Sequence, residues 1–262
     1  MLRSLYTAST GMRAQDLNVS VIANNLANVN TAGFKRSRAD FEDLLYQNLR
    51  LSGTLSNSGN QIPTGIQLGL GVKPAAIQKI FLQGDFAQTE NTLDVAIEGK
   101  GFFQILQSNG QFAYTRAGTF KLDNLGRMVT SEGLVLQPAV TIPVNAINIA
   151  IDPSGNVSVT QPGSPVPSVV GTIQIATFQN QAGLQAVGNN LFLESGASGS
   201  PIVGLPGLQD RGQLQQGFLE LSNVSVVEEL VNLITAQRAY EINSRTVQTA
   251  DEMLQITSNL KR

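Results

Sequence analysis

Asp40, Glu42 and Asp43 form the densest group of carboxylates in the chain. Two carboxylates with well-separated pKa values can serve as general acid and general base. Here they follow Lys35, Arg36 and Arg38, so each acid has a cation close by in sequence. The group reads as an ion-pair patch rather than an acid/base couple. Glu228 and Glu229 fall in the first turn of a predicted helix, where free N–H groups and the dipole favour negative charge, and Ser225 with Glu228 has capping-box spacing. Gly99 and Gly101 in EGKGFFQI lack the third glycine and the following helix of a dinucleotide loop. Ser258 and Lys261 match a serine–lysine spacing at a chain end, without a G-x-S-x-G elbow anywhere to raise a nucleophile. The N-x-S triplets at Asn18, Asn156 and Asn223 matter only in a glycosylating pathway.

The chain contains no Cys and no His, which removes disulfides, nearly every zinc site and the commonest general base. No catalytic, cofactor-binding or metal-binding set emerges, and the reading is of a protein that is not an enzyme, takes no cofactor and has no small-molecule substrate. Charged residues are 14% of the total, the net charge is −2, and Lys and Arg form no run, so nothing matches a nucleic-acid backbone. Between Met128 and Leu193 the only charged side chains are Glu132 and Asp152. No apolar run approaches the roughly 18–20 residues of a membrane-spanning helix. The N-terminal stretch MLRSLYTASTGMRAQ lacks the apolar core of a cleaved signal peptide.

The clearer signals are periodic. Leu5, Met12, Val19 and Leu26 are seven apart, with Ala8, Gln15, Ile22 and Val29 following each at plus three, which is a coiled-coil-like seam weakened by Gly11 and Gln15. The helix is expected to end near Thr31 or Ala32, with Gly33 as its left-handed cap residue and Phe34 folding back onto Val29. At the other end Val226, Leu233, Tyr240, Val247 and Leu254 are again seven apart, joined by Leu230, Ile234, Ala236 and Ala250, which predicts a helix over 226–259.

Between the helices the pattern alternates, as in Ile66, Leu68, Leu70 and Val72, in Val140, Ile142 and Val144, in Ile147, Ile149 and Ile151, and in Val157 and Val159. Turn sequences at 123–126 and 152–156 punctuate it, and 52–65 and 196–207 read as loops. The expected class is α+β: a discontinuous coiled coil of the two terminal helices (1–34 and 222–262) and a β-rich domain (73–195). Extended linkers (35–72 and 196–221) join them. Two helices with one apolar seam each are expected to bury those seams against one another.

Residues 17–34 carry no charge, and the polar side of this helix is made of amides, among them Asn24, Asn25 and Asn28. Amides can be buried when hydrogen-bonded, whereas unpaired buried charges are very costly. The helix is therefore expected to meet neighbouring copies on more than one side.

At this point the motifs become recognisable. ANNLANVNTAGFK (23–35) and SNVSVVEELVNLITAQRAYEINSRTVQTADEML (222–254) resemble the terminal signatures of the bacterial flagellar rod and hook axial proteins. FEDLLYQ (41–47), PTGIQLGLGVKPAAI (63–77), DVAIEGKGFFQI (94–105) and AYTRAGTFKLD (113–123) follow the pattern of the distal rod branch in order, so the resemblance covers essentially the whole chain. It implies a structural subunit of the basal body that polymerises with itself into a straight helical tube. The tube transmits torque from motor to hook and encloses an export channel, with the terminal helices innermost. The implied partners are proximal rod and hook proteins, the L and P ring proteins and the flagellar type III export apparatus, which exports such subunits across the periplasm without a cleaved signal peptide. The stretch YQNLRLSGTLSNSGNQIP (46–63), with Tyr46, Gln47, Asn48, Arg50 and Pro63, occupies the position of an insertion associated with the straight distal rod. A proximal rod or hook-type axial protein, and a secreted β-rich binding module with a coiled-coil stem, are the alternatives.

Overall fold

The computed structural model describes residues 2–53 and 63–259. Residues 54–62, within the expected insertion, and Lys261 lie outside the described residues. The chain forms two compact units, one from Met1–Leu26, Ser37–Gln78 and Ser225–Arg262, the other from Ala27–Arg36 and Lys79–Val224. The second unit holds the segment 196–221 and the first holds most of 35–72, both expected as linkers.

The first unit is built on helices α1 (Leu2–Ala27) and α2 (Val226–Asn259). Two contacts fix their register. The Asn25 amide lies 3.4 Å from the Glu229 carboxylate, and a Cβ at Gly11 would come within 3.0 Å of the Asn243 amide. The number falls by fourteen on α1 as it rises by fourteen on α2, so the helices are antiparallel. Ala236 and Ala250, one heptad to either side of Asn243 on α2, are both buried. The line of closest approach is therefore made of small and amide residues, with Glu229, Ala236 and Ala250 buried on α2, which lets two helix axes come close.

The large apolar heptads flank this line rather than forming it. Ile22 is buried with Ala8, Ala14 and Val21, while Leu5, Met12, Val19, Leu26, Leu233, Val247 and Leu254 are half-buried. Val226, Leu230 and Tyr240 stay exposed. Among the described residues the unit also holds four strands: β1 (Ser37–Asp43), β2 (Tyr46–Arg50), β3 (Ile66–Gly69) and β4 (Val72–Lys79). β1 pairs with β4, and β2 with β3 in an antiparallel ribbon that sets Tyr46 opposite Gly69 and Gln47 opposite Leu68. Gly71 breaks the alternation between β3 and β4 at φ +120°, and a Cβ there would strike the Thr10 hydroxyl of α1.

The second unit is antiparallel throughout its paired strands. Its main sheet runs, in spatial order, through 185–188, 191–193, 112–115, 102–106, 135–137, 128–129 and 121–122, and Ile175–Thr177 bridges Phe102 and Phe103 to 202–204. A three-stranded sheet (148–151, 156–161, 164–172) and two ribbons (95–98 with 213–216, 86–88 with 218–220) surround it. Phe102 and Phe103 point to opposite faces, as successive strand residues must. Phe103 joins the larger core of Val95, Ile97, Ile105, Phe120, Leu136 and Val157. Phe102 joins Tyr114, Phe178 and Phe192 in edge-to-face contact.

Candidate assembly site

The amide-rich end of α1 shows what its polar residues do. α1 ends at Ala27, several residues before the expected Thr31 or Ala32. Asn28 starts a turn instead: its carbonyl accepts from Thr31 N–H at 3.2 Å and its side-chain oxygen from the Thr31 hydroxyl at 3.2 Å. Such local bonds compete with helix continuation. Asn25 is buried, contrary to an outward role among copies. It donates to the Ser37 carbonyl and accepts from the Ser37 N–H, both at 2.8 Å, so both ends of the amide are committed within its own chain. Asn24 is exposed and Asn28 half-buried, and both have partners. Ser225 caps α2, its hydroxyl accepting from Glu228 N–H at a long 3.5 Å.

Gly33 is left-handed, φ +69°, but stands in the segment after α1 rather than at its cap. Its missing side chain matters twice. The positive φ favours glycine, and a Cβ would lie 2.6 Å from the Ala117 nitrogen. Phe34 is buried with the Lys79 ammonium 4.8 Å from its ring centre, a cation–π contact.

Lys35 corrects the sequence reading most sharply. It is buried rather than paired with the Asp40 group. Its ammonium donates to the Glu220 carboxylate at 2.7 Å and to the Leu82 carbonyl at 2.6 Å. Arg116 meets the other Glu220 oxygen at 2.5 Å, and three of its four remaining N–H groups go to the carbonyls of Ile97, Gly99 and Gly101. The Gly84 N–H completes the carboxylate's shell at 3.0 Å. Burial pushes the Glu220 pKa upward, but Arg116 and Lys35 outweigh it and hold the carboxyl below the ordinary glutamate range. Sequence reasoning missed this group, because Lys35 and Glu220 are 185 residues apart and Arg116 and Glu220 104 apart. The available sign was one carboxylate in the apolar run FLEL at 218–221.

The acidic cluster does what its neighbouring cations suggested: Arg38 pairs with Asp40 at 2.9 Å and Lys73 with Glu42 at 3.1 Å, both in solvent. Among the described residues no cluster of three metal-ligating side chains is present, and no helix is long and apolar enough to cross a membrane. What remains uncovered is apolar. Val227 is 73% exposed and Ile242 64%, with Val231, Ile234, Met253 and Ile256 also open along α2. The β2–β3 ribbon likewise presents Tyr46, Leu49, Ile66 and Leu68, beside exposed Gln47, Asn48, Arg50 and Pro63.

Paired terminal helices with exposed apolar side chains, and a β-rich unit between them in sequence, are the features of a subunit that associates through its helices. Comparison with known proteins places it more narrowly. Residues 5–35 match the flagella basal body rod protein family, 96–159 the D1 domain of the flagellar hook protein FlgE/F/G family, and 215–260 the flagellar basal body rod FlgEFG protein C-terminal family. The chain is 51% identical over 261 residues to the flagellar basal-body rod protein FlgG of Caulobacter vibrioides, covering 99% of this chain and 100% of the relative. It is 51% identical over 264 residues to that of Borreliella burgdorferi, covering all of both chains. With the Bacillus subtilis protein of the same name it shares 41% over 273 residues, again across all of both chains. The chain belongs to the flagellar basal-body rod protein family.

Proposed function

We propose that this chain is a structural subunit of the flagellar distal rod. It polymerises into a straight helical tube that encloses the export channel and carries torque from motor to hook. The observation that carries this reading is the uncovered face of α2. Val227, Val231, Ile234, Ile242, Met253 and Ile256 recur at helical spacing along α2 and stand exposed, and an exposed apolar stripe of this kind marks an interaction surface. Copies of the same chain can cover it, through heterologous contacts that repeat helically instead of closing into a ring. In this arrangement the terminal helices line the channel and the β unit lies outside them. The resemblance implies passage through the type III export apparatus, end contacts with proximal rod and hook proteins, and rotation within the L and P rings, while the relatives' names support a place in the basal-body rod. The scarcity of charge between Met128 and Leu193 suits a surface that turns inside a bushing, since few ion pairs are available to grip it.

The β2–β3 ribbon and residues 54–62 form the candidate stiffening element. A lone two-stranded ribbon is marginal in water, and its apolar side chains would be covered between subunits. Negative-stain microscopy of the concentrated protein tests the reading: open-ended tubes are expected, and a closed small oligomer would overturn it.

A further inference from the structure

The geometry points to a strap: Gly33–Arg36, the segment after α1, is fastened to the β unit by its own buried ionic and amide lock, which holds whether or not the terminal helices are paired. The inference concerns the single chain and deepens the assembly reading by saying what each copy fixes beforehand. Three segments of the β unit meet at the lock, and each ends beside a position where the chain passes to the helical unit.

Gly33 N–H donates to the Glu220 carbonyl at 2.8 Å, and Arg36 N–H to the Asn223 side chain at 2.8 Å. The Arg36 carbonyl accepts from Ile80 N–H at 2.9 Å, and the Lys35 carbonyl from the Lys79 ammonium at 3.3 Å. The Asn223 amide in turn donates to the carbonyls of Ile80 and Leu82, at 2.9 and 3.1 Å. The Lys35 ammonium, clamped between Glu220 and the Leu82 carbonyl, crosses all three segments. Opening the strap would break the buried Lys35–Glu220 ion pair, leaving Glu220 with one of its two cations, and would take from Leu82, Ile80 and Asn223 the partners that Lys35 and Arg36 supply, a far higher cost than fraying a helix end. The strap therefore belongs, in stability, with the β core and not with the helices it follows.

Hydrogen exchange on the full-length monomer reads this directly. The Gly33 and Arg36 amides are expected to be as protected as Phe103 and Ile105, while α2 exchanges far sooner. Glu220→Gln should speed Gly33 and Arg36 exchange by about a hundredfold, well beyond any change at Phe103 and Ile105. If Glu220→Gln unfolds the whole unit, Asn223→Ala carries the same test, since it removes only the amide that ties Arg36 to Ile80 and Leu82. Strap amides that exchange with the helices in the wild type, or that stay protected in the folded variant, would overturn the inference. Because the readout is monomeric, failure to form tubes leaves it standing.

Discussion

Asn25 and Ser37 bond to each other twice, side-chain amide to backbone carbonyl and backbone N–H to side-chain oxygen, each at 2.8 Å. One side chain thus replaces a strand partner for the first residue of β1 while its amide also approaches Glu229 at 3.4 Å. Asn25→Ala leaves the half-buried Ser37 N–H and carbonyl and the buried Glu229 carboxylate without this partner, at an expected cost of about 2 kcal/mol to the helical unit. Asn25→Asp, which replaces the donor with a second carboxylate facing Glu229, is expected to cost at least as much at neutral pH. Hydrogen exchange in β1 and at the start of α2 checks both variants, and unchanged protection would count against the double bond.

Gly33 and Gly110 share a positive φ, +69° and +81°, but differ in surroundings. A Cβ at Gly33 meets the Ala117 backbone at 2.6 Å, whereas at Gly110 nothing lies within 4 Å. Gly110→Ala should cost about 1 kcal/mol, the left-handed backbone alone. Gly33→Ala adds a backbone clash and should cost clearly more. Urea titration of the two variants compares them directly, and equal midpoints would refute the assigned role of Ala117.

Acid stability follows from Glu220. A carboxyl held below its unfolded pKa contributes stability above the unfolded value and loses it as pH falls through the folded one. Glu220→Gln removes that linkage. Its urea midpoint is expected to be lower than the wild type's at neutral pH and to converge with it in acid. A constant difference across the acid range would contradict the ionic account.

Removal of residues 46–63 tests the ribbon. Tyr46 is 55% exposed, and the rest of β2 is open as well, so its loss should leave the fold and assembly intact. The expected change is mechanical: tubes that bend. Tubes that remain straight by electron microscopy would remove the stiffening role.

The two helices and many of the strands were legible because each writes a local period: sevens at 226–254, twos at 147–159. The helix over 226–259 coincides with α2. The end of α1 was misjudged because Asn28 and Thr31, read as late helix, bond to each other. The line between the helices was misjudged for another reason. Apolar size marked Leu5, Met12 and Tyr240, whereas the approach is made where Gly11 and Asn243 allow it, and only the pairing partner reveals that. The Lys35–Glu220–Arg116 lock lay beyond reach because charge at those positions has no period, and its meaning depends on three distant segments being brought together.

A density map of the assembled tube that resolves side chains tests the central claim most directly. The account predicts Val227, Ile234 and Ile242 of α2 packed against helices of neighbouring copies, with Asn24 hydrogen-bonded across the same contacts. Those four side chains facing water in the finished tube would contradict it.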